Sequence, residues 1–76
     1  MTERLPHVSG RRLVKALTRL GFVFVSQRGS HVKLVRGHGA AKEIIVVPDH
    51  KVVKKGILHG ILKKIHLMAE ELKKLL

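Results

Sequence analysis

Residues 21–36 read GFVFVSQRGSHVKLVR. Residues 22–27, FVFVSQ, are β-branched and aromatic, the composition of a strand. Arg28, Gly29 and Ser30 make a tight turn, and residues 31–36, HVKLVR, form a second strand. Strands joined by so short a turn pair antiparallel. Side chains alternate across a strand, so His31, Lys33 and Val35 share one face and Val32, Leu34 and Arg36 the other. Lysine is almost never fully buried. Lys33 therefore puts His31 on a face open to solvent, which makes it a poor core histidine and a good chemical one.

Working outward, Ser9 is a good helix N-cap. Leu13, Val14, Ala16, Leu17 and Leu20 fall on one helical stripe, with Arg11, Arg12, Lys15 and Arg19 elsewhere on the surface. Gly21 suits the left-handed position that ends a helix, so residues 10–20 are predicted helical. After the hairpin, GHGAAK (37–42) is a glycine-rich loop, and EIIVV (43–47) is a third strand stopped by Pro48. Glu43, being charged, is expected to face outward and bring Ile45 and Val47 with it. The first strand is apolar on both faces, with Phe22 and Phe24 on one and Val23 and Val25 on the other. PDHKVV (48–53) is irregular.

From about Lys55, residues Ile57, Leu58, Ile61, Leu62 and Ile65 show helical spacing again, and Leu72, Leu75 and Leu76 extend it. The stripe fits one long helix or two with a break at 66–68. Gly60 inside this helix costs ~1 kcal/mol relative to alanine, which predicts a close contact there. The order is α-β-β-β-α: an α+β fold with a three-stranded antiparallel sheet and the helices covering one face. Residues 1–76 are expected to form a single domain. An open face carrying Val35, Ile45 and Val47 beside Val23 and Val25 predicts a protein interface that covers His31 and Lys33.

Sixteen Lys and Arg face five Asp and Glu, a formal net charge of +11. No carboxylate occurs from Arg4 to Lys42. Such one-signed charge repels itself, which points to a polyanionic partner, with nucleic acid favoured over an anionic membrane. Hydrophobic residues make up 45%, which argues for a folded core. With two Phe and neither Trp nor Tyr, that core must be aliphatic. The absence of cysteine excludes disulfides, thiolate zinc sites and a cysteine nucleophile. No apolar run approaches the ~20 residues of a membrane span. MTERLPH at the start shows no leader pattern, so a cytoplasmic protein is expected.

LVKALTRLGFVFVSQRGSHVKL, followed by IIVVPDH and KKGILHGILKK, resembles the HicA toxins of toxin–antitoxin pairs from about Ser9 to Leu76. GF followed by GSH carries the resemblance most specifically. It implies a fold like that of double-stranded RNA-binding domains, ribonuclease activity as an mRNA interferase, His31 as the catalytic residue, and a HicB antitoxin as partner. In two places the chain departs from the family pattern. Ile57 stands where Thr is common after the Gly that opens the last helix, and His66 where Gly is frequent near its end.

The chemistry can be weighed apart from the resemblance. RNA is cut without metal when its own 2′-OH attacks the adjacent phosphorus. The protein then supplies a base, an acid and cations for the developing charge. Histidine suits the proton steps. Arg28 and Lys33, with the amides of Gly29 and Ser30, are placed to hold the phosphate. Arg11, Arg12, Lys15 and Arg19 on the first helix, and Lys54 and Lys55 at the start of the last, are expected to track the RNA backbone. Two-metal cleavage needs clustered carboxylates, and Glu43 and Asp49 make no cluster. His7, His31, His38, His50, His59 and His66 show no zinc-ligand spacing, so no metal or cofactor is expected. His50 reads as a capping or loop residue or as a second acid. Ser30 is a poor nucleophile, because no nearby acidic residue orients His31. The competing readings are a non-catalytic RNA-binding module, ribosome-associated for example, and a domain that binds an acidic protein.

Overall fold

The computed structural model describes residues 4–76; the first residues of the stretch read as carrying no leader lie outside the described residues. Helix α1 spans Gly10–Thr18, strands β1, β2 and β3 span Val23–Arg28, His31–Arg36 and Glu43–Pro48, and helices α2 and α3 span Lys55–Lys64 and Ala69–Leu75. The sheet order is β1-β2-β3, with both pairings antiparallel. This is the expected α+β architecture, with the C-terminal helix in two pieces.

Local chemistry sets the element ends. The Ser9 hydroxyl accepts a hydrogen bond from the Arg12 amide at 3.1 Å, the N-cap read from the sequence. At the other end Gly21 has φ +95°, and the Phe22 amide reaches back to the Leu17 carbonyl at 3.2 Å, closing a Schellman turn. Arg28 pairs with His31, leaving Gly29–Ser30 as a two-residue hairpin turn. Gly29, at φ +55°, supplies the backbone that only glycine takes cheaply. Within GHGAAK, Gly39–Ala41 forms one 3₁₀ turn.

The break at 65–68 follows from the same geometry as Gly21, with the wrong residue for it. His66 has φ +56°, its amide donates to the Lys63 carbonyl at 3.2 Å, and the Leu67 amide donates to the Leu62 carbonyl at 2.9 Å. That is again a Schellman turn, now with a histidine in the left-handed position. Helix α3 restarts with the Glu71 carboxylate accepting from the Met68 amide at 2.9 Å.

The core lies between the helices and one sheet face. Leu13, Leu17, Leu34, Val47, Leu58 and Leu72 are fully buried, joined by Phe22 and Val53. Here the reading of β3 is corrected. Val32 pairs with Val47, Leu34 with Ile45 and Arg36 with Glu43, so Ile45 and Val47 face the core and are 2% and 0% exposed. Ile44 and Val46 occupy the open face beside Val35 and Lys33. Glu43 faces the helix side because Arg36 lies opposite it. The guanidinium donates to both carboxylate oxygens, at 2.8 and 3.1 Å, and a third bond goes to the Leu20 carbonyl at 3.1 Å. The same guanidinium stacks 4.4 Å from the centre of the Phe22 ring. The hydrogen bonds from Arg36 hold the Glu43 carboxyl below its ordinary range, and those to Glu43 raise Arg36.

Gly60 is a second correction. A Cβ there would meet nothing within 4 Å. The glycine opens a groove between α2 and the free edge of β3, lined by Ile44, Val46, Ile57 and Lys64. The close approach is at Gly10, where a Cβ would lie 2.0 Å from the Pro48 carbonyl oxygen.

Candidate active site

Three chain segments meet at the hairpin end of the sheet. The Ser30 carbonyl accepts from the Asp49 amide at 2.6 Å, tying the β1–β2 turn to the end of β3. The Gly10 amide donates to the His50 carbonyl at 2.9 Å, and the Val53 amide to the Val8 carbonyl at 2.8 Å. The start of α1 and the approach to α2 are thus laced together against the turn. Gly10 permits this, because no side chain fits between α1 and the Pro48–Asp49 backbone.

His31 sits on this end, exposed, between Arg28 on β1 and Pro48 on β3. Lys33 is exposed on the same face one pair of side chains along, opposite Ser26 and Val46. Arg28, Gly29 and Ser30 form the adjoining corner. Arg11 stands at the start of α1, 88% exposed, with its Nε 3.6 Å from an Asp49 carboxylate oxygen. Arg12 and Lys15 are exposed along α1, and Lys54 and Lys55 are exposed at the start of α2, directly after Val53. The sequence-derived residues therefore fall into three groups: the His31 corner with Lys33, the α1 cations, and the α2 lysines. Backbone hydrogen bonds join the segments that carry them. Arg19 falls outside these groups, since its Nη1 donates to the Leu75 carbonyl at 3.0 Å and closes the end of α3.

Two features of this end are not legible in the linear order. His50, exposed, lines a recess with Ser9, Arg11, Asp49 and Lys51, and the Asp49–Ser30 backbone bond lays the VPDH segment against the GSH segment. Asp49, 19 positions from Ser30 in the chain, is its backbone neighbour in space. An acidic residue thus stands close to Ser30 in space although it is remote in sequence, because strand pairing ignores sequence separation. The carboxylate nevertheless lies by Arg11, and the structure gives it no contact with His31.

Cations dominate the electrostatics of the end, where Asp49 is the one carboxylate among the described residues. Among the described residues each carboxylate is engaged: Glu43 by Arg36, Asp49 by Arg11, Glu70 by Lys73 and Glu71 by the Met68 amide. Arg12, Lys15, Arg28, Lys33, Lys54 and Lys55 form no ion pair among the described residues. Their field is available to an external polyanion. Among those residues no group of three His, Asp or Glu side chains stands in a ligating arrangement, and no helix is long and apolar enough to cross a membrane.

No curated protein and no solved structure matches the chain. A family model does, over residues 10–67, from the glycine that packs on Pro48 to the turn that ends α2, and its description is the HicA toxin of bacterial toxin–antitoxin systems. The chain belongs to the HicA toxin family, the toxin half of bacterial pairs in which an antitoxin is the partner.

Proposed function

We propose that the toxin is a metal-independent endoribonuclease that cleaves mRNA, with His31 carrying proton transfer. The observation that carries this reading is the position of His31. It is exposed at a hairpin end, opposite Arg28 and on the same sheet face as Lys33, two cations that form no ion pair among the described residues. In transesterification the RNA supplies its own nucleophile, the 2′-OH. The protein must move protons and stabilise a dianionic phosphorane. His31 is free to take the proton of the 2′-OH or to give one to the departing 5′ oxygen. Arg28 and Lys33 neutralise the phosphate, and the turn at Gly29–Ser30 brings backbone amides to the same corner. Arg11, Arg12, Lys15, Lys54 and Lys55 follow the flanking phosphates, so recognition is mainly of shape and backbone. The reaction takes place in the cytoplasm, where mRNA is found.

The antitoxin, of HicB type, covers the open sheet face and with it His31 and Lys33. Val23 is 64% and Val46 47% exposed on that face, with Val35 and Ile44 between them. Apolar exposure on the same face, beginning with Val46 opposite Lys33, suits a partner that silences by occlusion.

Expression of the parent and of His31→Ala, with growth and RNA integrity read together, tests the proposal. The alanine variant should fold, because the side chain is exposed, and lose at least the ~10²-fold that general acid–base catalysis contributes. Cleavage by the parent should survive EDTA. An alanine variant that cuts RNA at the parental rate would rule the mechanism out.

A further inference from the structure

On the helix side of the hairpin, a pocket of about 250 Å³ opens between α1 and β1. Phe24, Gln27, Arg11 and Asp49 line it, over a floor of Val14 and Val32. We propose that this pocket holds one unstacked nucleobase of the RNA, next to the phosphate that His31 acts on. The inference rests on the ribonuclease reading for that phosphate and on the pocket's own chemistry for the base.

Four observations carry it. Phe24 is one of two phenylalanines in a chain without Tyr or Trp; Phe22 is buried, whereas Phe24 is 54% exposed. Large exposed aromatics on an edge strand invite aggregation, so one kept beside a pocket that carries an Arg, an Asp and a Gln needs a use. Stacking a base on its ring is such a use, since single-stranded RNA is gripped by aromatic faces. Secondly, the pocket is smaller than the ~300–1,000 Å³ of drug-sized ligand sites, which suits a single ring system. Thirdly, the edge-reading groups are already oriented. Gln27 Nε2 donates to the Gly29 carbonyl at 3.0 Å, which holds the amide in place and leaves its Oε1 and second hydrogen for a base. Asp49 is anchored by its backbone amide to Ser30 and by its carboxylate to Arg11.

Fourthly, the pocket adjoins the proposed reaction centre. The pair Gln27–Val32 borders the pocket, and the next pair along the ladder is Arg28–His31. Successive strand residues point to opposite faces. An RNA chain crossing the β1 edge at the hairpin thus meets the pocket on one side and His31 on the other.

The donor pattern selects the base. A carboxylate accepts and never donates when ionised. Guanine offers two adjacent donors, N1–H and N2–H, while its O6 and N7 accept from Arg11 or the free hydrogen of Gln27. Uracil offers one donor flanked by two acceptors, which would face the carboxylate unpaired. Guanine is therefore the preferred occupant and uracil the least favoured.

The test measures binding, so it does not depend on turnover. Short single-stranded RNAs carrying guanine, uracil or an abasic site at one position are titrated against His31→Ala, which leaves the pocket intact. The same is done with Phe24→Leu and Phe24→Tyr in that background. Leucine keeps apolar bulk without the ring face and should weaken binding of the guanine RNA roughly 5- to 150-fold, while tyrosine should not. The abasic RNA should bind equally weakly to the phenylalanine and leucine proteins. Asp49→Asn should narrow the gap between guanine and uracil. Equal affinity of the leucine and phenylalanine proteins for the guanine RNA overturns the pocket. Equal affinity for guanine and uracil overturns the assignment of the base. If the base effects appear but the parent cuts no RNA, the ribonuclease reading fails and the pocket stands.

Discussion

Replacing Gly10 with alanine separates packing from propensity at the point that assembles the site. The added Cβ would sit 2.0 Å from the Pro48 oxygen, 2.8 Å from the Asp49 Cα and 2.9 Å from the Pro48 carbonyl carbon. Carbon and oxygen approach to about 3.3 Å at closest in ordinary contacts, so the backbones must part by more than 1 Å. All three neighbours are backbone, and no side chain can swing away. The separation strains or breaks the 2.9 Å hydrogen bond from the Gly10 amide to the His50 carbonyl. Overpacking costs about 1–3 kcal/mol, and a buried amide left without its partner about 1–3 more. Alanine's better helix propensity returns at most ~1 kcal/mol, and less at a first helical residue. The net expectation is a loss of about 2–4 kcal/mol. A 76-residue chain is stable by roughly 4–11 kcal/mol, so the loss is a large share. Urea unfolding of the two proteins, with equal slopes, measures it. Gly60→Ala is the matched control. With nothing within 4 Å of its Cβ, it should raise stability by about 0.5–1 kcal/mol. A Gly10 variant within ~0.5 kcal/mol of the parent would refute the claim that this contact holds the end together.

Four further outcomes follow from particular contacts. His66→Gly relieves a non-glycine residue at φ +56° and should raise stability by about 1 kcal/mol in the same urea assay. Glu43→Gln should flatten the acid limb of a stability–pH curve. The folded carboxyl lies below its ordinary 4.5, so its contribution is present above that value and lost as pH falls through the lowered one. Lys54→Ala with Lys55→Ala should reduce the log–log salt slope of RNA binding by up to ~1.4–1.8, if each lysine meets one phosphate. Val46→Lys should weaken antitoxin binding in a pull-down or titration while leaving the fold intact, because Val46 is 47% exposed; Ile45→Lys would instead break the core.

What was readable from the chain alone follows from chemistry that acts over a few residues. Ser9 and Gly21 bound α1 because capping and left-handed turns are local events. In β2, Lys33 breaks the apolar run and sets the alternation, so His31 could be placed on the open face without a structure. The family likewise lies in the order of GF, GSH and VPDH. Where the sequence is apolar without interruption, the local rule has nothing to grip. IIVV fits either register, and Glu43 pointed to the wrong one, because its partner Arg36 is seven residues away and comes opposite only by strand pairing. The stripe alone does not place the break at His66, because histidine does not announce a left-handed turn; α3 leaves the line of α2 and packs against α1, where Arg19 bonds the Leu75 carbonyl. Gly10 and Gly60 look alike in sequence, each a glycine at a helical position, and tertiary contact alone makes one indispensable and the other free. The juxtaposition of Asp49 and His50 with Ser30, and of Phe24 with Arg11, also belongs to the fold, since antiparallel pairing and helix docking bring together residues whose sequence separation carries no such signal.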